Sequence, residues 1–185
     1  VIGSNEIEID LNQKNLIVDT KKYSLKDLPL PGEHNFKNYV CAIMAAKKGG
    51  ISIEKSIDSL KKFKGVKRRM DLVAEVSDTL IYDDFAHHPT AIKMSTESIR
   101  EKYPEKKILG IVELGSNTMS SGYHKDSLIK SFGALDETLL LDHNKVYEYS
   151  NGFDSEKEMI DHIKTKIVKY DIILIMTNKD SQKFI

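Results

Sequence analysis

Ile81-Tyr82-Asp83-Asp84-Phe85-Ala86-His87-His88-Pro89-Thr90 is an apolar strand that stops in two carboxylates and two imidazoles before a proline opens a helix. In an open α/β sheet, ligands collect beyond the carboxyl ends of the strands, and the following helix start offers unpaired N–H groups to anions. Pro89 suits a first helical position, where its missing N–H would have had no intrahelical partner. The stretch therefore reads as a site-bearing strand-to-helix turn; the plainer alternative is a solvated turn with an Asp capping the helix.

Downstream, the same texture repeats. A helix is predicted from Thr90 to about Lys102, a strand over 107–112 ending at Glu113, a helix from Lys125 to about Leu135 and a strand over 137–141. Ser155 and Glu158 form a capping box for a helix to about Lys169, and 172–176 is a last buried strand. Upstream, 72–76 and 79–82 read as strands turning at Ser77-Asp78. This alternation predicts an α/β fold with a Rossmann-like, mostly parallel sheet covered on both faces. Asp83-Asp84, the loop 113–118 and Asp142-His143-Asn144 then share one edge.

Before residue 70 the pattern differs. Residues 6–19 alternate as a hairpin, and Gly32 to Ala46 contains a helix former apolar on nearly every side, ended by Gly49-Gly50. Ser52 caps a helix from Ile53 to about Phe63, apolar through Ile53, Ile57 and Leu60. A domain boundary is placed near residue 70, giving 1–70 and 71–185. Val1-Ile2-Gly3-Ser4 reads as the middle of a longer protein.

Composition excludes some classes. With 28 basic and 28 acidic residues there is no global field for nucleic acid or an anionic membrane surface. No apolar run approaches the ~20 residues of a bilayer span. The single cysteine, Cys41, reads as a core residue and suits a reducing cytoplasm.

Four clusters carry candidate chemistry. His34, Asn35 and Asn38 at a helix start can share a face and present amides to a planar ring, unless Asn35 is simply the N-cap. Lys67, Arg68 and Arg69 sit in a Gly-initiated loop with Asp71 near enough to orient one guanidinium, and arginine suits phosphate. Asp83 and Asp84 point to opposite faces of a strand, so one can meet a ligand while the other braces the loop. A carboxylate there suits the hydroxyls of a ribose, an imidazole a phosphate or a substrate carboxylate. His87 and His88 lack the spacing of a helical zinc site, so no metal site is expected. The loop Glu113-Leu114-Gly115-Ser116-Asn117-Thr118-Met119 offers hydroxyls and amides to a polar substrate, or is a connector. No Gly-x-Gly-x-x-Gly follows a strand, which argues against a dinucleotide-dependent dehydrogenase.

In this order, Gly65-Val66-Lys67-Arg68-Arg69-Met70, Tyr82 to Ile92 and Ser116-Asn117-Thr118-Met119 resemble the Mur ligases, which build the peptide of bacterial peptidoglycan. The resemblance covers about 32–140. Ser116-Asn117-Thr118-Met119 is similar to the branch that recycles cell-wall peptide rather than the branch that adds L-alanine. It implies the distal part of the central ATPase domain to residue 70, then the C-terminal Rossmann-like domain. It further implies that His34, Asn35 and Asn38 bind adenine, Arg69 reaches the ATP phosphates and Asp84 holds the ribose. His87, His88, Ser116, Asn117 and Thr118 would line the peptide side, with Arg69 and His87 nearest the chemistry. Implied cofactors are ATP and Mg2+; implied partners are UDP-N-acetylmuramate and a diaminopimelate-containing tripeptide, joined through an acyl phosphate.

Two departures are visible. Gly-x-x-x-x-Gly-Lys-Thr is absent, so these residues alone are not expected to ligate, and a non-catalytic nucleotide- or peptide-binding module is the rival reading. Leu114-Gly115 stands where the branch usually has Pro-Arg, which removes a cation from the substrate loop.

Overall fold

The computed structural model describes residues 7–185; Glu6 of the expected hairpin and the four opening residues lie outside that range. The chain divides into two compact units, Val1–Gly65 and Val66–Ile185. Among the described residues no helix is long and apolar enough to cross a membrane.

The first unit begins with an antiparallel sheet of β1 (Ile7–Asp10), β2 (Asn15–Val18) and β3 (Lys21–Ser24), paired in that order. The predicted hairpin is there, with a third strand that the charged Lys21-Lys22 concealed. Asp19 and Thr20 both take positive φ in the two-residue turn joining β2 to β3, the geometry whose twist matches that of the strands it joins. Helix α1 (Glu33–Lys48) ends at Gly49, and α2 (Ile53–Leu60) starts at Ser52, whose side chain accepts from the Lys55 N–H.

Phe36, Tyr39, Val40 and Ile43 of α1 pack with Leu16, Val18, Ile53 and Ile57. Cys41, expected in the core, is exposed. The reason is helical geometry: 36, 39, 40 and 43 mark one face, and position 41 lies about 100° round from 40. The helix is amphipathic rather than buried all round.

The second unit is a six-stranded sheet in the order β4-β5-β9-β6-β7-β8. Its strands are β4 (Asp71–Val76), β5 (Thr79–Asp84), β6 (Ile108–Glu113), β7 (Glu137–Leu141), β8 (Gly152–Phe153) and β9 (Ile172–Met176). The β4–β5 pair is antiparallel, turning through Ser77 and Asp78, both at positive φ, and every other pair is parallel. The fold is therefore α/β with a mixed, mostly parallel sheet.

Alternate residues of each buried strand enter opposite cores, as the two-residue strand period requires. In β9, Ile172, Leu174 and Met176 face α3 (Pro89–Lys102), α4 (Asn117–Ser120) and α5 (Lys125–Lys130) through Ile92, Ile99, Met119 and Leu128. Ile173 and Ile175 face α6 (Glu156–Lys166) through Met159 and Ile163. Each such aliphatic side chain, removed from water, contributes about 1.5–3 kcal/mol before conformational entropy is subtracted. The helix expected from Lys125 to about Leu135 is present as α5 but stops at Lys130, and the single turn of α4 precedes it, with Gly122 at positive φ between them.

Candidate functional site

β5, β9, β6 and β7 run parallel, so their carboxyl ends lie along one edge. That edge gathers Asp83-Asp84, Glu113-Leu114 and Asp142, as the strand pattern predicts. It also gathers Thr177-Asn178, because β9 lies between β5 and β6.

Both carboxylates of the Asp83-Asp84 pair are buried and both face inward to protein donors. Asp84 Oδ1 accepts from the Ala86 N–H at 2.8 Å and from the Ser95 hydroxyl at 3.2 Å, and Oδ2 from the Met70 N–H at 2.8 Å. Burial pushes the Asp84 carboxyl up, and the Ala86, Met70 and Ser95 donors only partly offset this. Asp84 therefore braces its loop, and Oδ2, which accepts one bond, is the oxygen with acceptor capacity left. Asp83 Oδ2 accepts from Arg68 Nε at 3.1 Å and from the Ser181 hydroxyl at 2.8 Å, while Oδ1 is buried without a partner.

The basic segment divides its labour unequally. Arg68 is consumed internally: besides Asp83, its Nη2 donates to the Thr177 carbonyl at 2.8 Å. Asp71, expected to orient a guanidinium, instead accepts from the Arg68 backbone N–H at 3.3 Å. Arg69 is exposed, its guanidinium 5.9 Å from the centre of the Phe85 ring, with no hydrogen-bonded acceptor among the described residues. Arg68 and Met70 on either side hold positive φ of 57° and 52°, a conformation that costs a non-glycine residue about 1–2 kcal/mol.

His87 Nδ1 lies 2.9 Å from the Phe85 carbonyl. A carbonyl only accepts, so Nδ1 carries the proton and Nε2 is left as the acceptor of the neutral ring. His88 is the N-cap residue of α3, with Pro89 behind it. Its ring meets that of His124 edge-on at 4.6 Å, and Tyr123, 79% exposed, meets His124 at 4.9 Å. His124 escaped sequence reasoning, since nothing local marks it; the contact joins the loops after β5 and β6.

In the 113–122 loop, Ser116 caps the single turn of α4 by accepting from the Met119 N–H, and Asn117 and Thr118 are exposed. Glu113 is 1% exposed. Lys183 Nζ lies 2.8 Å from its Oε1, and the Thr177 hydroxyl donates to Oε2 at 2.7 Å. Burial pushes this carboxyl up, but the Lys183 and Thr177 hydrogen bonds and the Lys183 and Lys179 charges outweigh it and hold it below 4.5. The tail after β9, on which the resemblance is silent, thus closes the sheet edge. A cavity of about 320 Å³ lies farther along, lined by Asp142, Lys145, Glu148, Tyr149 and Phe153 among others, and no predicted site residue lines it.

In the first unit, α1 is capped by Gly32, not by Asn35. Asn35 Nδ2 donates to the Pro31 carbonyl at 2.7 Å, which leaves Oδ1 for another donor. His34 is half-buried and Asn38 exposed in the first turns of the same helix.

Residues 68–178 match the family model of the Mur ligase glutamate ligase domain. The chain belongs to the Mur ligase family. Among its relatives, this Mur ligase chain is 35% identical over 139 residues to the UDP-N-acetylmuramate–L-alanyl-γ-D-glutamyl-meso-2,6-diaminoheptandioate ligase of Escherichia coli, covering 75% of the chain and 30% of that protein. It is 32% identical over 171 residues to the UDP-N-acetylmuramate–L-alanine ligase of Hydrogenobaculum, covering 92% of the chain and 36% of that protein. The crystal structure of a murein peptide ligase from Psychrobacter arcticus superposes with a TM-score of 0.62 at 30% identity, over 96% of the Mur ligase chain and 40% of that structure. The chain spans about a third of the length of the curated relatives it matches.

Proposed function

We propose that this chain is part of an ATP-dependent Mur ligase that forms a carbon–nitrogen bond between UDP-N-acetylmuramate and the tripeptide L-Ala-γ-D-Glu-meso-diaminopimelate, in cytoplasmic recycling of peptidoglycan. The observation that carries the reading is the family match over 68–178, which spans Arg69, the Asp83–His88 turn and the Ser116–Thr118 loop. In this reading the first unit is the distal part of the central ATP-binding domain and the second is the C-terminal Rossmann-like domain.

Bound ATP would supply the phosphoryl group that turns the muramyl carboxylate into an acyl phosphate. The residues of this chain fit the tasks of binding and orienting. Asn35, with Nδ2 committed, keeps Oδ1 to accept from the amino group of a purine, with Asn38 and His34 beside it on the same helix start. The Arg69 guanidinium, exposed and with no hydrogen-bond acceptor among the described residues, suits phosphate oxygens. Asp84 Oδ2, which accepts only from the Met70 N–H, keeps a lone pair for a ribose hydroxyl. His87 Nε2 can take a proton from the attacking amine or, protonated, donate to an anion. Asn117 and Thr118 offer neutral donors and acceptors to the peptide, with Ser116 shaping their turn and His88 walling one side. Among the described residues no group of three His, Cys, Asp or Glu side chains could hold a metal ion, and the Mg2+ ligands are assigned to the remainder of the ligase.

The test is phosphate release by the full-length protein with UDP-N-acetylmuramate, ATP and magnesium, comparing the tripeptide with L-alanine as acceptor. Release with the tripeptide alone supports the recycling ligase. Release with L-alanine alone moves the protein to the biosynthetic branch, a second reading favoured by relatives of that activity at similar identity. Release with neither leaves the binding module.

A further inference from the structure

The Asp-Asp pair at the end of β5 does something that neither a ribose contact nor a helix cap explains: each carboxylate grips one neighbour of Arg69. Asp83 holds the Arg68 side chain, and Asp84 holds the Met70 N–H. The Phe85 N–H also donates to the Arg68 carbonyl at 2.9 Å, and the Arg69 N–H closes a tight turn on the Val66 carbonyl at 3.0 Å. Between two pinned residues, both with left-handed backbone, Arg69 is exposed. Its guanidinium rests near the Phe85 ring, and that ring is itself flanked by Arg68 at 5.2 Å.

We propose that Asp83 is a positioning residue: by holding Arg68, with Ser181 sharing the same carboxylate oxygen, it fixes the backbone from which Arg69 presents its guanidinium to an anionic ligand. The inference rests on the nucleotide-binding reading above, in which that anion is the ATP phosphate chain. Arg68 and Arg69 are adjacent and chemically identical, and what separates their roles is which of them Asp83 has taken. A guanidinium on an unpinned loop would spend most of its time out of register, and an error of about 1 Å in such a contact can cost up to about 10²-fold in rate.

The test is a double-mutant cycle on the full-length ligase, reading kcat and the KM for ATP and for the acceptor separately. Asp83→Asn keeps the shape and removes the charge that holds Arg68. Ser181→Ala, a milder change, removes one of the two bonds to the same oxygen. The expected result is a fall in kcat/KM for ATP of about 10-fold or more for Asp83→Asn and a smaller fall for Ser181→Ala. The acceptor KM stays constant, and neither substitution has further effect once Arg69→Ala is present. Full additivity of Asp83→Asn and Ser181→Ala with Arg69→Ala overturns the positioning role. If Arg69→Ala itself leaves the ATP parameters untouched, the phosphate reading of Arg69 fails instead, and the two failures are distinct. Should Asp83→Asn not fold, the Ser181→Ala arm of the cycle decides.

Discussion

A Cβ placed on Gly115 would stand 1.8 Å from Oδ1 of Asn178 and 2.9 Å from its Cγ, so the loop after β6 and the loop after β9 are packed as closely as a glycine allows. The requirement is steric. Gly115→Ala is expected to destabilise the protein by about 1 kcal/mol, because the Asn178 side chain must swing away. The same substitution in an Asn178→Gly background should be nearly silent, and urea unfolding of the four variants measures the coupling. By the same reasoning, Gly115→Arg restores no cation to the substrate loop unless Asn178 is shortened with it.

Glu113 is expected to tie stability to acid pH. Its folded carboxyl lies below the ordinary 4.5, so its contribution is present in full above 4.5 and is lost as the pH falls through the folded value. Glu113→Gln should lower stability by about 2 kcal/mol at neutral pH, the worth of charge-assisted hydrogen bonds such as the one to Lys183, and should flatten the acid limb. Unfolding midpoints between pH 3 and 7, marked at about one-unit steps, check both. An unchanged acid limb would argue against the Lys183 contact.

Asp84 should act with the opposite sign. Burial raises its folded pKa above 3.8, so the folded state binds the proton more tightly than the unfolded chain. Stability linked to this group is greatest below 3.8 and declines as the pH rises through the folded value. Asp84→Asn removes that decline but trades an acceptor for a donor facing the Met70 or Ala86 N–H, at a cost of about 1–3 kcal/mol. Ser95→Ala, which takes away one donor and leaves the others, is expected to cost about 1 kcal/mol. Thermal unfolding across the same pH range separates the two variants.

The β4–β5 turn offers a stabilising change. Asp78 has φ of 68°, a region glycine enters without steric penalty. Asp78→Gly is expected to raise stability by about 0.5 kcal/mol, with Ser77→Asn adding to it, as read from the urea midpoint.

Much of this could be read locally. The Ser155 cap on the Glu158 N–H, the Ser52 cap, the 77–78 turn and the apolar run 172–176 are signals carried by a few neighbouring residues, and all appear in the structure. What escaped depends on distant pairs. Nothing in 172–176 says that this strand enters between β5 and β6, and so nothing announced that Lys183 would meet Glu113 or that Thr177 would meet Arg68, about 70 and 109 positions away. β8 is two residues long, below what an alternating pattern can reveal. Cys41 is exposed although its helix is rich in apolar residues, because the large side chains of that helix mark a single face. The choice between Arg68 and Arg69 has no local signal, because only the fold decides which one an aspartate captures.

The place of β9 also sets an order of assembly. It is made after the other five strands of its sheet, yet it lies between β5 and β6 and supplies the neighbour for both. Until residues 172–176 have been synthesised, β4–β5 and β6–β7–β8 are two separate ribbons, each with a flank of unpaired backbone N–H and C=O groups. A chain emerging from the ribosome must shelter those flanks through about 90 residues of further translation for β5 and about 60 for β6, and a nascent chain cut short before β9 should be recognised by chaperones or degraded rather than released as a half-formed domain.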